Sequence, residues 1–149
     1  MKIREAKDTD AGIIAGFQQK MALETEGLTL DNNKVTSGVK AVFDDPSKGF
    51  YIVAEETDQV VASMLLTPEW SDWRNGTFLW IQSLYVIPEY RKQGIFRLMF
   101  EFVKQKVNTS EDYVGIKLYV DQNNESAQKA YEQVGMDASH YRMFEWNKK

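Results

Sequence analysis

Apolar residues along the 149-residue chain recur at two periods, and the switches between them mark out its elements. Lys2 to Glu5 alternates as a short strand. Asp8 or Thr9 then offers an N-cap to a helix whose inner face is Ile13, Ile14, Phe17 and Met21 and which fades near Gly27. A second helix is expected from about Asn33 to Phe43, with Val35, Val39 and Val42 or Phe43 at helical spacing before the breaker "DDPSKG". Phe50 to Glu55 and Gln59 to Thr67 read as strands joined by a polar turn. Asn75-Gly76 signals a tight turn before a third, so three consecutive antiparallel strands are expected.

Thr77 to Val86, "TFLWIQSLYV", is apolar at nearly every position, as befits a strand covered on both faces. Pro88 ends it. From Gly94 the set Ile95, Leu98, Met99, Phe102, Val103 and Val107 returns to helical spacing until "NTSED" closes the helix. Val114 to Val120 is another strand. Asn124 or Ser126 opens a helix with Ala127, Tyr131 and Val134 on one face, and "YRMFEW" in the tail reads as a last strand. The pattern predicts a single α/β domain over residues 1–149, in which the central strand, its helix and the next strand form a right-handed crossover.

Composition narrows the function. Lys plus Arg is 18 against 22 Asp plus Glu, a net charge of -4, so the overall field repels nucleic acid and anionic membrane surfaces. With no cysteine and one histidine, a disulfide framework, a thiolate zinc site and a cysteine nucleophile are excluded, and no metal is expected. The lone His140 is expected to be structural or exposed. No run of 18 apolar residues and no leader-like apolar stretch occurs, which points to a cytoplasmic protein.

The candidate chemistry starts at "PEYRKQGIFRLMF", residues 88–100. A strand, a turn "RKQG" and a helix beginning near Gly94 put unpaired backbone N–H groups and the positive end of a helix dipole at one point. Glycine there lets the backbone approach an anion, and Arg91 with Lys92 adds charge. The alternative is a surface loop with two solvated cations. The pattern lacks the Gly-Lys-Ser/Thr ending of a nucleoside triphosphate loop and the G-x-G-x-x-G of a dinucleotide loop.

"LYVIPEYRKQGIFRLMF" resembles the R-x-x-G-x-[GA] motif of the GCN5-related N-acetyltransferase (GNAT) family, which follows a strand ending in L-Y-V-x-P. "NNESAQKAYEQVGM" resembles that family's second motif, N-x-x-A-x-x-x-Y-x-x-x-G-[FM], on Asn124, Ala127, Tyr131, Gly135 and Met136. The resemblance covers essentially the whole chain. It implies an acyl-CoA N-acyltransferase fold, a mixed central sheet of about six to seven strands with about four helices, splayed at its central strands. It also implies transfer of an acetyl group from acetyl-coenzyme A (acetyl-CoA) to the amine of a small molecule or peptide by direct attack. The missing cysteine agrees with that route. A non-catalytic CoA-binding module is the alternative, an O-acyl or longer-chain acyl transferase a third possibility, and relatives often pair as homodimers.

By the same resemblance, backbone groups of Leu84, Tyr85 and Val86 take the pantetheine arm and polarise the thioester carbonyl. Arg91, Lys92, Gln93, Gly94, Ile95, Phe96 and Arg97 form the pyrophosphate turn, with Asn124 and Ala127 alongside. Phe96 stands where the family has Gly or Ala, so its ring must turn into the core or crowd the cofactor. Tyr131 matches the position of the acid that protonates the leaving thiolate; the alternative is that Tyr131 is a half-buried core aromatic and Asn124 only a cap. The base is less defined. Gln82 and Ser83 occupy strand positions where an acidic pair is common, and glutamine cannot take a proton. Glu24 and Glu26 in "ALETEG" either serve through water and attract a cationic amine or form a solvated acidic turn. Otherwise the amine arrives with a lower pKa, or bulk water suffices. Trp70, Asp72 and Trp73 in "PEWSDWRNG" either wall an acceptor pocket or anchor a hairpin or dimer contact. Trp80 and Gln82, alternating onto one strand face, are weaker acceptor-site candidates.

Overall fold

A computed structural model describes all 149 residues. The elements are β1 Lys2–Glu5, α1 Ala11–Glu26, α2 Asn32–Asp44, β2 Phe50–Glu56, β3 Gln59–Ser71, β4 Gly76–Val86, α3 Ile95–Thr109, β5 Tyr113–Leu118 and α4 Glu125–Gln133. They fall into two compact units, Met1–Lys117 and Leu118–Lys149.

The sheet runs β1-β2-β3-β4-β5 in chain order, with β1 to β4 antiparallel neighbours. The β2–β3 turn carries positive φ at both Thr57 and Asp58, 48° and 62°, the tight type whose twist matches that of the flanking strands. At the start of β4, the Thr77 N–H donates to the Asp112 carbonyl, Gly76 lies against Val114 and Phe78 against Gly115. From Thr77 and Asp112, through Phe78 and Gly115, to Trp80 and Lys117, sequence numbers rise together across this pair, so β5 runs parallel to β4 and α3 is the crossover between them. The sheet is therefore mixed.

Its five strands correct the expected six to seven. The missing one is the tail, since residues 141–146 take no regular structure and Tyr141, Phe144 and Trp146 are exposed. An alternating apolar pattern becomes a strand only where a neighbouring edge supplies hydrogen-bond partners, and the pattern alone cannot show that edge.

The register from β3 to β4 slips by one residue. Leu65 pairs with Ser83 while Leu66 pairs with Ile81, which leaves Gln82 as an extra residue in a β-bulge. Thr67 opposes Trp80 and Ser63 opposes Tyr85, residues of one β3 face. One face of the sheet thus carries even-numbered residues of β4 before the bulge and odd-numbered ones after it. This corrects the simple alternation of Trp80 and Gln82. The slip aims Tyr85 into a cluster with Ile14, Phe17, Val39, Tyr51 and Val53, beneath α1 and α2. Leu79 and Ile81 point the other way, on the same face as Met64 and Leu66. There the second buried set continues with Ile95, Met99, Phe100 and Val103 of α3.

α1 is cut and oriented by charge. Arg4 holds Asp10 at 2.8 Å and Glu55 at 2.7 Å, and the Lys7 N–H donates to the Asp10 carboxylate at 2.7 Å. Asp10, rather than Asp8 or Thr9, is the residue before the helix. With Asp10 pinned inward, the stripe at Ile14, Phe17 and Met21 follows at helical spacing, and Ile13 turns outward to 45% exposure.

Candidate functional site

β4 ends at Val86, residues Pro88–Tyr90 form a short 3₁₀ turn, and the chain reverses through Lys92, φ +61°, and Gly94, φ +77°, into α3. The first intrahelical bond of α3 runs from the Leu98 N–H to the Gly94 carbonyl at 3.1 Å. The N–H groups of Ile95, Phe96 and Arg97 precede it, and no side chain caps the helix start. A Cβ on Gly94 would meet no atom within 4 Å. Glycine is therefore there for its backbone angle, and the space above it is open. Lys92, Gln93 and Arg97 are exposed while Ile95 is buried and anchors the turn. Phe96 is half-buried, and its ring tilts against Phe100 at 5.9 Å, one turn further along α3. Open N–H groups, a dipole end and two exposed cations fit an anionic diphosphate.

A second group of residues meets beside this turn. Arg91 donates from Nε to the Val86 carbonyl at 2.8 Å and from Nη2 to Glu24 at 2.6 Å. The Tyr85 hydroxyl donates to the other Glu24 oxygen at 3.0 Å. The guanidinium lies 5.4 Å from the centre of the Tyr85 ring, which packs on Phe17 at 5.1 Å. The hydrogen bond from Arg91, reinforced by that from Tyr85, holds the Glu24 carboxyl below its ordinary pKa. Burial, with the charge of Glu24, pushes the Tyr85 phenol up. Glu24 is thus ionised and engaged on both oxygens, a poor arrangement for accepting a proton. Glu26, the last residue of α1, is exposed.

The acceptor-site candidates are not gathered at this point. Gln82 is exposed at the bulge and Ser83 half-buried after it. Trp80 is half-buried, with the Lys117 ammonium 5.9 Å from its ring. Trp70 is 63% exposed, Trp73 is 96% exposed, and Asp72 lies exposed between them at the tip of the β3–β4 hairpin. Counted along β4 at about 3.3 Å per residue, that tip is roughly 26 Å from Leu84 and roughly 33 Å from Val86. Trp70 lines an open groove of about 600 Å³ there with Pro68, Asn75, Asp112 and Tyr113.

In the second unit, Asn124 precedes α4, and its side-chain oxygen accepts the Ala127 N–H at 3.1 Å. The helix stops at Gly135, φ +91°, with the Met136 N–H donating to the Tyr131 carbonyl at 3.1 Å. Tyr131 is half-buried, and burial pushes its phenol above the ordinary value of 10.0, so it is neutral and carries its proton at physiological pH.

The model of the acetyltransferase (GNAT) family matches residues 19–136, most of the chain and both motif regions. The chain belongs to this family. A possible acetyltransferase from Clostridium difficile 630 is 46% identical over 99% of this chain and 97% of its own, with a TM-score of 0.92. A ribosomal-protein-alanine N-acetyltransferase from Brucella melitensis biovar Abortus 2308 shares the fold at 14% identity and a TM-score of 0.79, covering 99% of this chain and 100% of its own. An aminoglycoside N-acetyltransferase in complex with CoA does so at 10% identity and 0.75, with the same coverage. No curated protein matches. No helix of this GNAT chain is long and apolar enough to cross a membrane.

The link from Glu24 to Arg91 is absent from the sequence-based expectations. Its partners are 67 residues apart, and no periodicity joins them. The adjacent opposite charges available to each, Lys20 and Glu89, would have served equally well as guesses.

Proposed function

We propose that this GNAT chain is an acetyl-CoA-dependent N-acetyltransferase acting on the amine of a small molecule or peptide in a ternary complex. The observation that carries the reading is the uncapped, open start of α3 at Gly94, bearing the family's R-x-x-G pattern. Acetyl-CoA brings the acetyl group already activated as a thioester. The N–H groups from Gln93 to Arg97 would hold its diphosphate, with charge from Lys92 and Arg97. Backbone groups of Leu84, Tyr85 and Val86 would take the pantetheine arm. Phe96, turned along α3 toward Phe100, is compatible with that assignment.

Tyr131 supplies the proton for the leaving thiolate, a role suited to a phenol kept neutral by burial. With Glu24 engaged by Arg91 and Tyr85, the remaining acidic candidate near the end of α1 is Glu26, which attracts a cationic acceptor and relays its proton to water. The enzyme acts in the cytoplasm. A second reading, a CoA-binding module without turnover, is favoured by Gln82 at the bulge and by the engaged Glu24.

Two measurements test this. Coenzyme A at 100 times its dissociation constant raises the stability of the chain by about 2.7 kcal/mol. Acetyl-CoA with a panel of amines then releases free thiol, and Tyr131→Phe lowers that rate by roughly a hundredfold. The alkaline limb of the rate lies above pH 10, because the raised phenol pKa keeps Tyr131 protonated up to its folded value. Binding without thiol release for any amine selects the module instead.

A further inference from the structure

Arg91 is the cation of the family motif, yet its guanidinium is already occupied. Nε sits on the Val86 carbonyl at 2.8 Å, Nη2 on Glu24 at 2.6 Å, and the plane lies over the Tyr85 ring. These partners belong to different pieces of the first unit. Val86 ends β4, Tyr85 is locked into the core against Phe17 of α1, and Glu24 lies in the last turn of α1. By contrast, the backbone bonds made by Tyr90 and Arg91 reach only Ile87 and Pro88, three residues back in each case. The side chain of Arg91 is what carries the turn to α1.

We infer that Glu24 is a positioning residue for the cofactor turn: by holding Arg91 on the Val86 carbonyl, it fixes the N–H groups at Gly94 relative to the end of β4. This rests on the reading of that turn as the coenzyme A site. The diphosphate and the pantetheine arm of one ligand need their two binding segments at a set separation, and the bonds that Tyr85 and Arg91 donate to Glu24 set it. Glu24 also neutralises Arg91, so the charge offered to the diphosphate falls to Lys92 and Arg97. The role belongs to geometry more than to stability. The ion pair is exposed, with side chains at 43% and 40%, and such pairs add little to the folding free energy.

The test is calorimetric titration of coenzyme A into the full chain and into Glu24→Gln, Arg91→Lys and the double variant, with the ligand-free melting temperature of each. Each single substitution is expected to weaken binding about tenfold, and the double variant by about the same factor rather than the product, because both break one connection. Melting temperatures stay close to the parent value, and Glu24→Asp, which keeps the charge on a shorter side chain, recovers part of the affinity. If Glu24→Gln does not fold, Tyr85→Phe removes the other contact to Glu24 and is expected to weaken binding in the same direction. Unchanged or tighter binding by Glu24→Gln, or a double variant that loses the full product, overturns the role of Glu24 while leaving the cofactor reading in place. A parent chain that does not bind coenzyme A overturns both.

Discussion

The starts of α3 and α4 carry the two family motifs, and they treat their backbone N–H groups in opposite ways. α4 satisfies itself: Asn124 caps it, and Gly135 lets Met136 close its other end. α3 begins on a glycine with no side-chain cap and nothing within 4 Å of where a Cβ would sit. α2 resembles α4, since Asp31 accepts the Lys34 N–H at 3.1 Å. α1 also starts without a side-chain cap, but behind the 3₁₀ turn at Asp8–Asp10; α3, left open where α2 and α4 are capped, gives up about 1 kcal/mol of stability, a cost that an external anion offsets when it binds. Two motifs of similar length thus carry different physical content. One is mostly helix punctuation around Tyr131, and the other is an exposed set of donors.

Among changes at the two helix starts, the largest expected effect belongs to Gly94→Ala. It strains a backbone at φ +77° for about 1 kcal/mol of stability, but puts a methyl group in the open space above the donors. Coenzyme A affinity, read by titration, should fall at least about tenfold, beyond what the loss of stability explains. If affinity is unchanged, the contrast between the two helix starts has no bearing on binding. Asn124→Ala probes the other side. Removal of the cap should cost about 1 kcal/mol in chemical denaturation and leave coenzyme A affinity within about threefold. A larger loss would show that the Asn124 side chain does more than cap. Smallest is Lys92→Gln, expected to weaken coenzyme A binding by about two- to threefold at low salt, with the difference fading at high salt as the exposed charge is screened.

Much of this was legible from residue order. The "RKQG" turn, the helix from Gly94, the end of α1 at Gly27 and the strands of the antiparallel run were set by local chemistry, and local chemistry is what a sequence displays. The bulge was not. It sits in "LWIQSLY", where apolar residues occupy both faces, so there is no alternation for an extra residue to interrupt. The outward turn of Ile13 was hidden for another reason. It depends on Asp10 being pinned by Arg4, which Glu55 holds in turn across 51 residues of sequence. The tail forms no ladder with any strand, and a propensity for strand does not by itself make one.

The extra residue at Gln82 works like a frameshift in the side-chain pattern of β4. Delete it, and Ser83 and Tyr85 rotate to the α3 layer while Leu84 and Val86 rotate toward α1, so the phenol that bonds Glu24 would point away from it. Substitutions along this strand are absorbed locally, whereas a change in its length by one would scramble every position downstream to Val86. The strand's residue count is therefore as much a part of the site as any side chain on it.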